Sequence, residues 1–174
     1  STIEFENGVT LRTYIHASNQ VGYFTFVNAG DLVPSIIIPP YNSIEKGKTG
    51  SSVDGQGLAR LGYAKGSIEK GKNFIRYHQP TWNGNYYEVL VQWTKVFNKI
   101  LGQWTITQNK KAFLPTINSQ LEEPTGWATH LAWWTNYWDR SAVNIPDSIL
   151  AKQYYLEMYK FGCVARSNTP PISL

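Results

Sequence analysis

The residues of this chain that could do chemistry are chiefly aromatic, with seven Trp and eleven Tyr among 174 residues. Sugar rings stack on such side chains, because a Trp or Tyr ring has an apolar face and a polar edge. Trp82, Tyr86 and Trp104 stand near predicted strand ends and turns and are therefore candidates for carbohydrate contact. The competing explanation is a large aromatic core, which Trp104 favours because it shares its side of a strand with Ile106.

The sequence contains no recognisable catalytic or metal-binding constellation. Its twelve carboxylates include no pair whose placement demands acid–base chemistry. The histidines His16, His78 and His130 are far apart, and none has a second ligand three or four residues away. Neither a nucleophile-elbow motif nor a phosphate-binding glycine loop is present. We therefore assign no catalytic residue, no metal ligand and no cofactor.

Composition argues against several classes of partner. The net charge of +4 comes from scattered Lys and Arg residues, so nucleic-acid binding is not expected. No stretch approaches the length of about eighteen apolar residues that a membrane span needs. The single cysteine, Cys163, excludes an internal disulfide, and its place on a predicted helix indicates a buried apolar residue rather than a nucleophile.

One six-residue sequence, SIEKGK, occurs twice, at residues 43–48 and 67–72. Two strand-turn connections of similar chemistry explain it best, with the glycine supplying the positive φ that a turn needs. Contact of its lysines with a phosphate or an acidic sugar is the less favoured alternative. The polar stretch 41–56 has little to bury and is predicted to be an exposed loop.

The first two thirds of the chain are predicted to be rich in β-strands. Alternation of side chains along residues 9–16 predicts a strand with one buried face, and Asn83-Gly84 is a strong hairpin signal. Several short strands separated by such turns indicate an antiparallel sandwich. The predicted strands are residues 9–16, 21–27, 33–38, 58–63, 73–79, 86–93 and 102–108.

The last third is predicted to form two helices, because apolar and aromatic residues recur there at spacings of three and four. The break falls at residues 144–148, where Pro146 suits a first helical turn and Asp147 or Ser148 can accept hydrogen bonds from free amides. The predicted faces are Trp127, Leu131, Trp134, Trp138 and Ala142 in the first helix, and Leu150, Tyr154, Met158, Phe161 and Ala165 in the second.

The predicted fold class is therefore mainly β: an antiparallel β-sandwich, or part of a larger one, followed by two C-terminal α-helices. We place the β-sandwich domain at residues 1–118 and the helical segment at residues 119–174. On the residues alone, the chain is a non-catalytic β-rich domain with a helical tail.

The helical segment resembles a known enzyme family. Its motifs are WWTNYW at residues 133–138, IPD at 145–147, YYLEMYK at 154–160 and ARSNTPPISL at 165–174. Their order is similar to the linker and first barrel helix of glycoside hydrolases of the α-L-fucosidase type, which have an (α/α)6 barrel behind an N-terminal β-sandwich. Where that family has consecutive serines before an arginine, this chain has Cys-Val-Ala before Arg166.

The resemblance implies that this chain is the non-catalytic N-terminal portion of a glycosidase, with the catalytic carboxylates on barrel helices beyond Leu174. Hydrolysis in the intact enzyme would invert the anomeric centre, with one carboxylic acid protonating the leaving oxygen and a base activating water. The expected location is secreted or periplasmic. If no barrel is present, a homo-oligomer formed through the helical tail would cover the surface that the family packs against its barrel. The residues expected to pack on the barrel are Trp133, Trp134, Trp138 and Tyr154.

Two other functions stay open at this point. The chain is alternatively a self-contained carbohydrate-binding β module, or a structural or interaction domain without a ligand. Sugar binding would favour the module, whereas a reading frame that continues past Leu174 into helical repeats would favour the glycosidase portion.

Overall fold

The structure, a computed structural model, describes residues 1–38, 62–118 and 126–165. The chain divides into two compact units, Ser1–Thr125 and Gly126–Leu174, here called the β unit and the helical unit. The prediction of a mainly β fold of antiparallel strands followed by two helices is confirmed. The described elements are β1 (Thr2–Glu4), β2 (Thr10–Ile15), β3 (Gly22–Val27), β4 (Ser67–Lys70), β5 (Phe74–Pro80), β6 (Tyr86–Val96), β7 (Lys99–Gln108), α1 (Trp127–Trp138) and α2 (Ser148–Val164).

The described strands of the β unit form one antiparallel sheet in the order β1-β2-β3-β7-β6-β5-β4. Two meanders, β1 to β3 and β4 to β7, therefore meet where β3 pairs with β7. That pairing runs from Gly22 opposite Trp104 to Val27 opposite Lys99. Because β7 continues to Gln108, its last four residues extend past Gly22, the first residue of β3.

Most strand predictions from the sequence are confirmed. Two short strands, β1 and β4, were not predicted, because all their residues are exposed and they carry no apolar alternation. The second copy of the repeat is a strand followed by a turn, as predicted, and the Gly71 amide donates to the Phe74 carbonyl at 3.0 Å. The positive φ expected at its glycine is wrong, because Gly71 instead leaves room for the Phe74 ring. The confirmed predictions are residues 9–16 as β2, 21–27 as β3, 73–79 as β5, 86–93 as β6 and 102–108 as β7.

The predicted strand at residues 33–38 is wrong, because this segment has no regular structure. Ile36 packs against the core of the sheet, whereas Val33 and Ile37 are 72% and 89% exposed. A short apolar stretch does not by itself distinguish a paired strand from a segment that packs on the face of a sheet without pairing. The segments 41–56, 43–48 and 58–61 lie outside the described residues.

One face of the sheet carries the larger apolar core, and glycine makes room for aromatic rings on it. Gly22 lies opposite Trp104 and Gly102 lies opposite Phe24. A Cβ atom at either glycine would overlap the facing ring, so the ring occupies the space above the bare backbone. The buried members of this core are Ala29, Ile75, Trp93 and Ile100.

The other face is crossed by residues 110–117, here called the strap. The Pro115 carbonyl accepts hydrogen bonds from the side-chain amides of Gln92, at 2.6 Å, and Gln103. These bonds fasten the strap to two adjacent strands, β6 and β7. A second apolar cluster lies between the strap and the sheet, where Ala112 and Leu114 of the strap pack with Leu90 of β6.

The helical unit is a helix pair joined by residues 139–147. Asp147 is the N-cap of α2 as predicted, and its carboxylate accepts from the amides of Ile149 at 2.9 Å and Leu150 at 3.0 Å. Across the pair, the Tyr137 hydroxyl donates to the Met158 carbonyl at 2.6 Å. Side-chain and main-chain contacts therefore fix the second helix against the first.

The predicted helix faces are partly wrong. Leu131 is 45% exposed, and Leu150 and Phe161 are each 61% exposed. The predicted sets mixed residues at the centre of the contact face with residues at its edge, because more than one set of residues in each helix satisfies a spacing of three or four. Cys163 is also exposed, contrary to the expectation of a buried thiol. The side chains that are at least half-buried are Trp127, His130, Trp133, Trp134, Tyr137 and Trp138 in α1, and Ala151, Tyr154, Glu157, Met158 and Val164 in α2.

Candidate functional site

The turn between β5 and β6 presents an aromatic side chain to solvent. Residues Trp82–Gly84 form a single short 3-10 turn, in which Asn83 has φ 57° and Gly84 has φ 72°. Asn and Gly tolerate this left-handed backbone better than other residues, which confirms the hairpin predicted from Asn83-Gly84. The turn leaves the Trp82 side chain 73% exposed.

Two asparagines brace this turn against the end of β7. The Asn85 side-chain amide donates to the Trp82 carbonyl at 2.9 Å, and the Asn109 amide donates to the Asn85 side-chain oxygen at 2.7 Å. The Asn109 side-chain oxygen in turn accepts from the Tyr86 amide at 2.9 Å. Because Asn109 directly follows β7, the position of Trp82 is fixed by the sheet rather than by the turn alone.

An open cleft of about 480 Å³ lies at the same end of the sheet. Tyr86 and Tyr87 are neighbours on β6 and point to opposite faces of the sheet, so the cleft extends around the end of the strands. Where β7 runs past β3, the Thr105 hydroxyl donates to the Gln20 carbonyl at 2.5 Å and fixes the β2–β3 turn beside the cleft. The lining residues are Gln20, Thr81, Tyr86, Tyr87, Ile106, Thr107, Gln108 and Lys110.

The cleft combines aromatic rings with groups that can donate and accept hydrogen bonds. The Tyr86 ring is half-buried, with its centroid 4.7 Å from that of His78, so the imidazole supports one side of the ring. Hydroxyl and carboxamide side chains make up most of the polar lining, and Lys110 is its one charged residue. The main chain of Lys110 is held by the Thr107 hydroxyl, which donates to its carbonyl at 2.7 Å.

The three aromatic candidates for carbohydrate contact do not come together. Trp82 and Tyr86 belong to one hairpin; Tyr86 lines the cleft, whereas Trp82 does not line it but directly follows the lining residue Thr81 and is exposed. Trp104 is half-buried on the larger apolar face, where its indole lies against the Gly22 backbone. It is not among the residues that line the cleft. The geometry therefore gives Trp104 a packing role and leaves Trp82 and Tyr86 as the pair available to a ligand.

A buried ion cluster, which sequence reasoning missed, lies beneath the strap. Glu88 on β6 lies 2.6 Å from Arg76 and 3.3 Å from His78, both on β5. The same carboxylate accepts from the Ala112 amide at 2.8 Å, and Arg76 donates to the Ala112 carbonyl at 3.0 Å. The three side chains meet because β5 and β6 pair in one particular register, which no local pattern in the sequence reveals.

The environment of Glu88 lowers its pKa. Burial is the largest single influence and raises the pKa, because it penalises the charged form. The opposing influences are the hydrogen bonds from the Ala112 amide, Arg76 and His78, together with the positive charge of Arg76, and they outweigh burial. A carboxylate held in its charged form and paired on both oxygens joins the strap to the sheet and is poorly placed to take up a proton in catalysis.

The residues expected to pack on a barrel contact other aromatic residues within the helical unit. Trp133 and Trp134 have ring centroids 4.9 Å apart, and Trp134 and Trp138 have centroids 6.2 Å apart. The ring centroids of Tyr154 and Tyr155 are 5.3 Å apart. All four are half-buried, so each is partly covered inside the unit and partly available to a partner.

No protein family, curated protein or solved structure matches this chain. Among the described residues, no group of three or more His, Cys, Asp or Glu side chains could hold a metal ion. Within residues 1–38, 62–118 and 126–165, no helix has both the length and the apolar character needed to cross a membrane. The fold and the cleft define a class of protein, namely an antiparallel β-sheet unit with an aromatic-lined cleft at one end of its strands.

Proposed function

We propose that the β unit is a carbohydrate-binding module and that its site is the cleft beside Trp82. The observation that carries the proposal is the braced turn, which holds an exposed Trp82 next to a cleft lined by Tyr86. An indole that is 73% exposed gains little for folding, yet the turn that carries it is held by three hydrogen bonds in which Asn85 and Asn109 take part. A fixed aromatic face in water suits a ligand with an apolar face of its own.

The lining of the cleft supports the same class of ligand. Sugars present many hydroxyl groups, and the side chains of Gln20, Thr81 and Gln108 can both donate and accept hydrogen bonds. The cleft volume of about 480 Å³ falls within the range of about 300–1,000 Å³ typical of small-molecule sites. Because the cleft is open, weak binding is expected, with dissociation constants in the micromolar to millimolar range.

Binding to a panel of soluble oligosaccharides, measured by calorimetry or NMR titration on the whole chain, tests the proposal. Trp82→Ala should weaken binding about tenfold, as expected for removal of a stacking residue. Phe97→Ala is the matched control, because Phe97 is also an aromatic residue in a turn, is 96% exposed, and lies at the other end of β6. That variant should bind like the unmodified chain.

Two results would overturn the proposal. One is the absence of binding to every sugar of the panel at millimolar concentration, which would favour a structural or interaction domain. The other is equal loss of binding in the Trp82 and Phe97 variants, which would show that exposed aromatic residues bind the sugars without a defined site.

We also propose that this chain is the N-terminal, non-catalytic portion of a glycosidase. This wider proposal depends on the resemblance in the helical segment. It is supported by the positions of α1 and α2, which carry the motifs at residues 133–138 and 154–160. The last motif, at residues 165–174, extends outside the described residues. Sequencing the natural reading frame past Leu174 tests it, because a glycosidase requires further helices and catalytic carboxylates there.

A further inference from the structure

The cleft lining includes one charged residue, Lys110, whose charge neutral sugars would leave unused. Lys110 is the one charged residue in the lining, and the adjacent Lys111 is also exposed. No carboxylate of the described residues pairs with Lys110, since the five ion pairs there involve other lysines, arginines or histidine. The cleft therefore has a positive charge at its rim with no internal counter-charge in the described part of the chain.

The nearby acidic group does not cancel this charge. Glu88 lies on the same face of β6 as Tyr86, two positions further along the strand. Its carboxylate is already occupied by Arg76 at 2.6 Å and by the Ala112 amide at 2.8 Å. Lys110 is therefore the charged residue that the lining offers to a ligand, and its main chain is held in place by Thr107.

We propose that the cleft prefers acidic sugars, with the negative group of the ligand beside Lys110 and its ring near Tyr86. This inference deepens the proposed carbohydrate-binding function and depends on it. A lysine ammonium is a compact charge on a flexible stem, so it accommodates a carboxylate or a sulfate equally well. The shared chemistry is thus an anionic substituent on a sugar ring.

The test uses pairs of ligands that differ only at C6, where the neutral sugar has a hydroxymethyl group and the acidic sugar has a carboxylate. Methyl glycosides of glucose and glucuronic acid, and of galactose and galacturonic acid, are titrated into the whole chain at low and high salt. An exposed ion contact stabilises a complex by about 0.2–1 kcal/mol, so the acidic member of each pair should bind up to about fivefold more tightly. The preference should shrink in high salt, because about 1 M salt reduces the screening length to about 3 Å.

Lys110→Met should abolish the preference for the acidic member of each pair. The matched control is Lys111→Met, which removes the same charge from the neighbouring position outside the cleft lining. A sulfated glycoside in the same titration separates the two anion sources: preference for the uronate alone, or for the sulfate alone, identifies the group that is recognised.

The outcomes distinguish this inference from the function on which it rests. Equal affinity for acidic and neutral sugars, or a preference that survives in Lys110→Met, would overturn the acidic-sugar inference and leave sugar binding intact. Equal loss of preference in both lysine variants would attribute it to net charge rather than to the cleft, and would also overturn it. Absence of binding to any sugar would remove both proposals.

Discussion

Nη1 of Arg76 lies 2.6 Å from Oε2 of Glu88, across the pair formed by β5 and β6. Both side chains are largely buried, with exposures of 16% and 10%. Each also bonds to the main chain of Ala112, so one ion pair joins two strands of the sheet to the strap. The strap therefore depends on a charge interaction as well as on the small apolar cluster beneath it.

Replacing the carboxylate of Glu88 should lower the stability of the β unit measurably. Glu88→Gln leaves the Arg76 charge buried without its partner, and loss of a hydrogen bond to a charged group costs about 1.5–3 kcal/mol. We expect the free energy of unfolding, measured by urea denaturation of the whole chain, to fall by about that amount.

Glu69→Gln is the control for this substitution. Glu69 also approaches Arg76, at 3.6 Å, but its side chain is 64% exposed. Solvent screens such a pair, so the expected change is at most about 1 kcal/mol. If the two variants were equally stable, the buried pair would not be what fastens the strap.

The same carboxylate predicts how stability depends on pH. The folded protein lowers the pKa of Glu88, so the folded state binds a proton at this site less readily than the unfolded chain does. The stabilisation is complete above the unfolded-state pKa and is lost as the pH falls through the lower pKa of the folded state. Unfolding measured between about pH 7 and about pH 3 should show this loss, and Glu88→Gln should show a smaller one. A pH dependence identical in both proteins would contradict the assignment.

The bare backbone at Gly102 should not tolerate a side chain. A Cβ atom at this position would overlap the Phe24 ring, and overpacking in a core costs about 1–3 kcal/mol. We expect Gly102→Ala to lower the thermal midpoint of unfolding of the β unit. Near-ultraviolet circular dichroism of the whole chain on heating measures this midpoint.

A double-mutant cycle locates the cause. In a Phe24→Ala background the ring is absent, so adding Gly102→Ala should cost much less than it does in the unmodified chain. If the cost were the same in both backgrounds, it would come from the backbone of β7 rather than from the ring.

The N-cap of α2 provides a prediction for the helical unit. Asp147→Ala removes both hydrogen bonds to the first turn of the helix, and N-cap substitutions of this kind cost about 0.5–2 kcal/mol. Far-ultraviolet circular dichroism on heating should show an earlier loss of helix. Ser148→Ala is the control, because Ser148 is the first residue of the helix and is not its cap. Equal effects from both substitutions would argue against the capping geometry.

The sequence by itself determined the features that depend on neighbouring residues. Short apolar and alternating stretches bounded by turns identified five strands, Asn83-Gly84 identified the β5–β6 hairpin, and Asp147 was identified as a possible cap. Trp82 and Tyr86 were predicted to be near a turn, and they lie together because they are only four residues apart. In each case the responsible interactions are local, so residue type and spacing carry the information.

Only the tertiary structure decided which distant residues meet. The fit of Trp104 over Gly22 and the cluster of Glu88 with Arg76 and Ala112 depend on strand register and on the path of the strap. Register is fixed by the sum of many cross-strand contacts, and a slip of one residue would turn every side chain to the other face. The segment 33–38 shows the same limit, because its apolar residues fit a paired strand and a covering segment equally well. Local patterns specify which residues prefer to be buried, whereas the partner that buries them is chosen by contacts between segments far apart in the chain.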